Sequence, residues 1–123
     1  MKIMLATKNP GKIKEITKIL QGPNIELFSH KEIDIPEVEE TGVTFVENAL
    51  LKARSSSDVT GLPSIADDSG IEVDYLNAQP GVRSARYSGE NATNESNNKK
   101  LLEELEGVSF KEMTARYRCV IVF

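Results

Sequence analysis

Several kinds of chemistry have too few residues to be built from this sequence. It holds one cysteine, Cys119, among 123 residues, so no internal disulfide can form and no thiol spacing suggests a metal site. Cys119 lies in an apolar run and reads as a core residue rather than a nucleophile. The one histidine, His30, sits in a polar stretch and reads as a surface residue. No apolar run reaches about 18 residues, which excludes a membrane-spanning helix of the ordinary kind. The opening residues Met1–Ala6 meet Thr7-Lys8-Asn9 too soon to form the apolar core of a signal peptide. Basic residues are not in excess: 15 Lys and Arg face 19 Asp and Glu, a formal net charge of −4. That argues against a broad basic surface for duplex nucleic acid, while a local basic pocket stays open. There is no repeat and no long linker. The balance, with 39% hydrophobic and 28% charged residues, is that of a globular chain. The expectation is one soluble, cytoplasmic domain over 1–123.

What is present is an alternation of short apolar runs and amphipathic stretches. Lys2–Ala6 reads as a buried strand, and Thr7–Gly11 as a turn. Ile13, Ile16, Ile19 and Leu20 then recur at helical spacing, ending near Gly22-Pro23. Ile25–Ser29 is a second strand. Ile35–Thr41 reads as a loop. Thr44-Phe45-Val46-Glu47 has the spacing of a capping box, opening a helix that runs through Ala53 and fades in Ser55–Ser57. Leu62–Ala66 reads as a strand broken by Asp67-Asp68-Ser69-Gly70, with strand character again over Ile71–Leu76 and a turn over Asn77–Gly81. A helix from Thr93 or Asn94 carries Leu101, Leu102 and Leu105, with Gly107 as its stop. Met113–Phe123 reads as a last, buried strand. Domains usually end in a polar tail; this sequence stops inside an apolar run. The fold class is α/β or α+β around a mixed sheet flanked by helices.

Four segments hold candidate chemistry. Thr7-Lys8-Asn9-Pro10-Gly11-Lys12 joins a strand to a helix N-terminus. There, unpaired N–H groups, the helix dipole and Lys12 suit a phosphate; the alternative is an ordinary turn. Neither the GxxxxGK[ST] nor the GxGxxG pattern occurs. Glu39-Glu40-Thr41 is either a solvated acidic loop or a source of Mg²⁺ ligands, since this ion takes one or two carboxylates with substrate oxygens. Asp67-Asp68-Ser69-Gly70 puts two acids side by side, which is unfavourable without a cation or hydrogen bonds. At the end of a strand, one acid could hold metal and the other take a proton from water; the alternative is an Asx turn. Pro80–Gly89, with Arg83, Arg86 and Tyr87, is either a phosphate or base pocket or a surface strand. Lys52, on the second helix, could face a cleft or water.

In this order the segments closely resemble the inosine triphosphate pyrophosphatase family, which removes noncanonical purine nucleoside triphosphates. The matching stretches are Leu5–Lys12, Val38–Ala53, Ala66–Val73, Pro80–Gly89 and Thr114–Cys119. The resemblance implies an elongated mixed sheet flanked by helices, with a cleft between two lobes, and a homodimer with no nucleic-acid or membrane partner. It implies Mg²⁺-dependent hydrolysis of inosine, deoxyinosine or xanthosine triphosphate to the monophosphate and pyrophosphate. Thr7, Lys8, Asn9, Pro10, Gly11 and Lys12 would form the triphosphate-binding turn. Glu40 would be a Mg²⁺ ligand and Lys52 a phosphate-binding, catalytic lysine. Asp68 would contact the metal and act as general base, Asp67 would support it, and Ser69 would touch substrate.

Family members continue beyond the position of Phe123 and carry aromatic–Gly–aromatic–Asp and Ser-His-Arg segments associated with reading the base; neither occurs here. The resemblance therefore implies a chain with the phosphate and metal half of the site, weak base discrimination and weak activity. Three other readings stand beside the enzyme. They are a septum-inhibitor-like nucleotide pyrophosphatase, a non-catalytic nucleotide- or phosphate-binding fragment, and a fragment that folds only with a missing C-terminal piece. Glu39-Glu40-Thr41-Gly42 followed by Thr44-Phe45 argues for the purine branch over the first.

Overall fold

The computed structural model describes all 123 residues. The chain forms two compact units, one of Met1–Asp68 with Val120–Phe123 and one of Ser69–Cys119. No helix is long and apolar enough to cross a membrane.

The first unit is built on strand β1 (Lys2–Leu5), with β2 (Glu26–Phe28) and the first half of β3 (Ser64–Val73) on its two sides. Both pairings are parallel: Ile3 faces Leu27, and Leu5 faces Ile65. Covered on both faces, β1 reads as an unbroken apolar run, as a central parallel strand should. Side chains alternate between two cores. Ile3, Leu5 and Ile65 pack with Ile13, Ile16 and Leu20 of helix α1 (Pro10–Leu20). Met4, Ala6 and Ala66 pack with Ala53 of helix α2 (Phe45–Thr60), together with Ile35. Ile19, expected on the apolar face of α1, is 71% exposed. It lies about 120° round the helix from Ile13, off the stripe that Ile13, Ile16 and Leu20 form.

The capping box at the start of α2 is present. Thr44 Oγ1 accepts from the Glu47 N–H at 3.2 Å, and Glu47 Oε2 accepts from the Val43 and Thr44 N–H groups at 2.7 and 3.2 Å. Thr44→Ala is expected to lower the stability of the chain by about 1 kcal/mol in denaturant unfolding. The helix does not fade in the serines as expected but runs to Thr60, where Gly61 closes it at φ 67°. Ser56 and Ser57 are tolerated because their hydroxyls are occupied: Ser64 Oγ donates to Ser56 Oγ at 3.1 Å, and Ser57 Oγ to the Leu62 carbonyl at 2.6 Å. Ile35–Thr41 forms the expected irregular loop, anchored by Ile35, which is 7% exposed. His30, expected at the surface, is half-buried and its Nδ1 is buried without a partner.

In the second unit the latter half of β3 pairs antiparallel with the short β4 (Gln79–Pro80), Glu72 opposite Pro80. The stretch after Val73 is not strand but a 3₁₀ turn over Asp74–Leu76. Pro80–Gly89 is not a surface strand either: Gly81–Arg86 is a 3₁₀ helix whose Ser84 Oγ accepts from the Ile71 N–H at 3.0 Å. Helix α3 (Asn94–Glu104) starts at the Thr93 cap; Leu105, at its C-cap, is buried, while Leu102 is 70% exposed. Tyr87 donates to Glu104, and its phenol is pushed up to about 12 by burial and by that carboxylate, so it stays a neutral donor.

Strand β5 (Ala115–Val122) pairs with β3. Arg116 and Arg118 meet Asp74 and Glu72. It was expected to be buried, with Cys119 in the core. Instead Cys119 is exposed, and Tyr117, Ile121 and Phe123 are 82%, 62% and 74% exposed. An apolar run gives strand propensity, but burial requires another layer to pack over it, and only Val122 reaches a core cluster.

Candidate active site

Asp67 and Asp68 lie inside β3, not in a turn beyond it: the strand is continuous from Ser64 to Val73 and both acids are buried, 4% and 6% exposed. The strand was expected to break here because adjacent acids and a glycine usually mark a turn. It does not break because each carboxylate meets a different lysine. Neighbouring residues of a strand point to opposite faces. Asp67 falls on the α1 face with Ile65, where Lys12 Nζ stands 2.5 Å from its Oδ2. Asp68 falls on the α2 face with Ala66. There Asn48 Nδ2 donates to its Oδ2 at 3.3 Å and Lys52 Nζ lies 3.7 Å from its Oδ1. The acids are thus separated by the sheet, and Asp67 makes its ion pair with Lys12 away from Asp68.

Lys52 is the centre of the α2-side cluster. Its ammonium is 2.9 Å from Glu40 Oε1 as well as 3.7 Å from Asp68 Oδ1, with the side chain only 20% exposed. The 39–42 loop has no regular structure, yet it is fixed at both ends, by buried Ile35 and by the Gly42 N–H, which donates to Asn48 Oδ1 at 2.7 Å. A cavity of about 280 Å³ opens beside this cluster, lined by Thr7, Lys8, Glu37, Glu40, Lys52 and Ser56 among others.

The Thr7–Lys12 turn differs from the expected row of unpaired N–H groups. Asn9 is the N-cap of α1, and its Oδ1 accepts from the Gly11 and Lys12 N–H groups at 2.9 and 3.3 Å. Pro10 has no N–H to offer, and the Ile13 N–H bonds to the Asn9 carbonyl at 3.0 Å. The turn satisfies its own helix, because an Asn cap occupies the donors that would otherwise face a ligand. Thr7 Oγ1 accepts from the Asn9 N–H at 3.2 Å. Cationic charge remains: Lys8 Nζ is 3.1 Å from Glu37 Oε1 at an exposed position, and Lys12 is held by Asp67.

Of the residues singled out from the sequence, Glu40, Lys52 and Asp68 come together, Thr7 and Lys8 share the cavity wall with Glu40 and Lys52, and Lys12 pairs with Asp67. Ser69 follows Asp68 in β3 and is half-buried. Asn48, Ser56 and Glu37 were not singled out. A signal for two of them existed: Asn48, Lys52 and Ser56 recur every four residues, a polar row beside the small Ala49 and Ala53 on the buried side of α2. No group of three or more His, Cys, Asp or Glu side chains is placed to hold a metal ion. The pair Glu40 and Asp68, both directed at one ammonium, is the available set. Two carboxylate oxygens on one cationic position fit an ion such as Mg²⁺, which fills its remaining positions with water and phosphate oxygens.

A model of the Ham1 family matches residues 3–123. Among curated proteins, the dITP/XTP pyrophosphatase of Thioalkalivibrio sulfidiphilus is 54% identical over the whole chain, which covers 63% of that protein. The dITP/XTP pyrophosphatase of Geobacter sulfurreducens is 55% identical over 98% of the chain and 61% of its own length. Among solved structures, a HAM1 protein from Coxiella burnetii superposes with a TM-score of 0.89 at 44% identity, covering 98% of this chain and 61% of that one. The Ham1 protein of Staphylococcus aureus gives 0.85 at 41% identity, with 98% and 62% covered. The chain spans about six-tenths of the length of the curated relatives it matches.

Proposed function

The chain belongs to the Ham1 family, and from that premise we propose that it hydrolyses noncanonical purine nucleoside triphosphates, deoxyinosine, inosine and xanthosine triphosphate, to the monophosphate and pyrophosphate. The observation that carries this reading is the Lys52 ammonium between the Glu40 and Asp68 carboxylates, at a cavity whose wall also holds Thr7 and Lys8. Relatives named dITP/XTP pyrophosphatase support the choice of substrate.

Each residue has a task in that reaction. Glu40 and Asp68 would hold Mg²⁺, which when bound neutralises phosphate oxygens and the charge that develops on the leaving pyrophosphate. Lys8 and Lys52 bind phosphate oxygens as point charges, and Thr7 adds a hydroxyl. Lys12 is fixed at the start of α1 by its ion pair with Asp67. Asp68, oriented by the Asn48 amide, accepts the proton of the attacking water. Water oxygen bonds to the α-phosphorus, the bond from that phosphorus to the bridging oxygen breaks, and pyrophosphate leaves. A cytoplasmic homodimer is part of the same proposal and is supported by the family resemblance alone.

The test is pyrophosphate release from a panel of deoxyinosine, xanthosine, adenosine and guanosine triphosphates with and without Mg²⁺. Release that needs Mg²⁺ and includes the first two nucleotides is the expected result. Mg²⁺-dependent binding by calorimetry without release would favour the non-catalytic binding reading. Neither binding nor release would overturn both.

A further inference from the structure

We propose that Asn48 is a positioning residue, holding Asp68 and the Glu40 loop in one fixed arrangement. Asn48 is fully buried, at 0% exposure, in the first turns of α2. A buried side-chain amide must place its oxygen on a donor and its nitrogen on an acceptor. Here Oδ1 accepts from the Gly42 N–H at 2.7 Å and Nδ2 donates to Asp68 Oδ2 at 3.3 Å. The reverse orientation would set amide oxygen against carboxylate and amide hydrogens against an N–H, so only one orientation is compatible with both neighbours.

The approach of the loop to Asn48 also constrains Gly42. A Cβ at that position would stand 2.6 Å from Asn48 Oδ1 and 2.7 Å from Glu47 Cβ. Gly42 lies two residues after Glu40, and Lys52 lies one helical turn after Asn48. Lys52 then closes the circuit, reaching Glu40 Oε1 at 2.9 Å and Asp68 Oδ1 at 3.7 Å. Loop, Asn48, β3 and Lys52 therefore form a ring of four links. Within it the two oxygens of Asp68 are divided, Oδ2 to Asn48 and Oδ1 toward Lys52. Asn48 touches no substrate in this scheme; it fixes the orientation of the Asp68 carboxylate and sets the distance of Glu40 from it. A displacement of about 1 Å at such a site is worth about 10²-fold in rate.

The kinetic part of the proposal rests on the reading of Asp68 as the reacting carboxylate; the structural coupling does not. Two variants separate the links. Asn48→Ala removes both. Asn48→Asp keeps an acceptor for Gly42 but, when ionised, offers Asp68 no donor and sets a like charge against it. With the 123-residue chain, Mg²⁺ and deoxyinosine triphosphate, both variants are expected to lose at least about thirtyfold in kcat with KM changed less than about threefold, a split that mere loosening of the fold would not give. Circular dichroism at the assay temperature identifies the variant that stays folded. A folded variant with kcat within about threefold of the parent overturns the proposal.

Amide hydrogen exchange at Gly42 supplies a readout free of turnover. Asp68→Ala is expected to speed exchange at Gly42 at least about fivefold in the parent and to add nothing in the Asn48→Ala background. Exchange at Gly42 indifferent to Asp68→Ala overturns the coupling. If the parent chain releases no pyrophosphate from any nucleotide, the enzymatic reading fails on its own, and the exchange measurement still decides the role of Asn48.

Discussion

Asp68→Asn is expected to reduce pyrophosphate release by about 10²- to 10⁴-fold, the range for loss of a positioned general base. The substitution changes little in shape but removes the negative charge that faces Lys52 and the proton-accepting oxygen. It also breaks the local bonding pattern. Asp68 receives Asn48 Nδ2 on one oxygen and lies near the Lys52 ammonium on the other. An asparagine amide has one oxygen for these two donors, so its NH₂ must face one of them, at 6% exposure where water cannot compensate. A loss of stability of about 1–3 kcal/mol is expected alongside the loss of rate. The two effects are separable by measuring turnover at a temperature where circular dichroism shows the variant folded. Turnover of the folded variant within about threefold of the parent would remove Asp68 from the chemistry.

Lys52→Met is expected to act in two directions at once. Turnover should fall by about 10²- to 10³-fold, as when one fixed positive or hydrogen-bonding group is withdrawn from developing phosphate charge. Affinity for Mg²⁺ in the absence of nucleotide should rise at least about tenfold. The reason is that the ammonium neutralises Glu40 and Asp68 at 2.9 and 3.7 Å, and so competes with any other cation for both carboxylates. One unit of charge at about 4 Å is worth ~1–4 kcal/mol across the range from water to a partly desolvated site, enough for that tenfold change. Without metal the variant sets Glu40 and Asp68 against each other with no ammonium between them, and its thermal midpoint should fall; added Mg²⁺ should restore more of it than in the parent. Calorimetric Mg²⁺ titration is the discriminating measurement. Unchanged or weaker Mg²⁺ binding would show that Lys52 and the metal do not share Glu40 and Asp68.

Both expectations turn on contacts that no motif spells out. The sequence placed Lys52 on a helix without a direction, because a lysine on α2 reaches a cleft or solvent with equal ease. It ended a strand at Ala66 and put Asp67 and Asp68 just beyond it, because two adjacent acids before Ser69-Gly70 have the composition of a strand break. What keeps them in a strand is the pair of lysines, Lys12 and Lys52, arriving 55 and 16 positions away in the chain from opposite sides of the sheet. The serines of α2 show the same dependence: Ser56 stays helical because Ser64, from β3, meets its hydroxyl. Asn9 shows the converse. Its capping of α1 is local and readable in Asn9-Pro10-Gly11, and it carries with it the occupation of the Gly11 and Lys12 N–H groups by the Asn9 side chain.

The sequence by itself determined what depends on neighbours a few positions apart: the apolar run of β1, the Ile13, Ile16 and Leu20 stripe of α1, the Thr44–Glu47 capping box, and the ordered motifs that mark the Ham1 family. These are set by backbone periodicity and by bonds within one turn. Tertiary structure alone decided that Asp67 and Asp68 serve different faces, that Glu40, Lys52, Asn48 and Asp68 close into a ring, and that β5 leaves Cys119 exposed. Those outcomes depend on which residues of distant segments meet. An ion pair or an uncovered strand face is a property of the meeting and not of either segment alone.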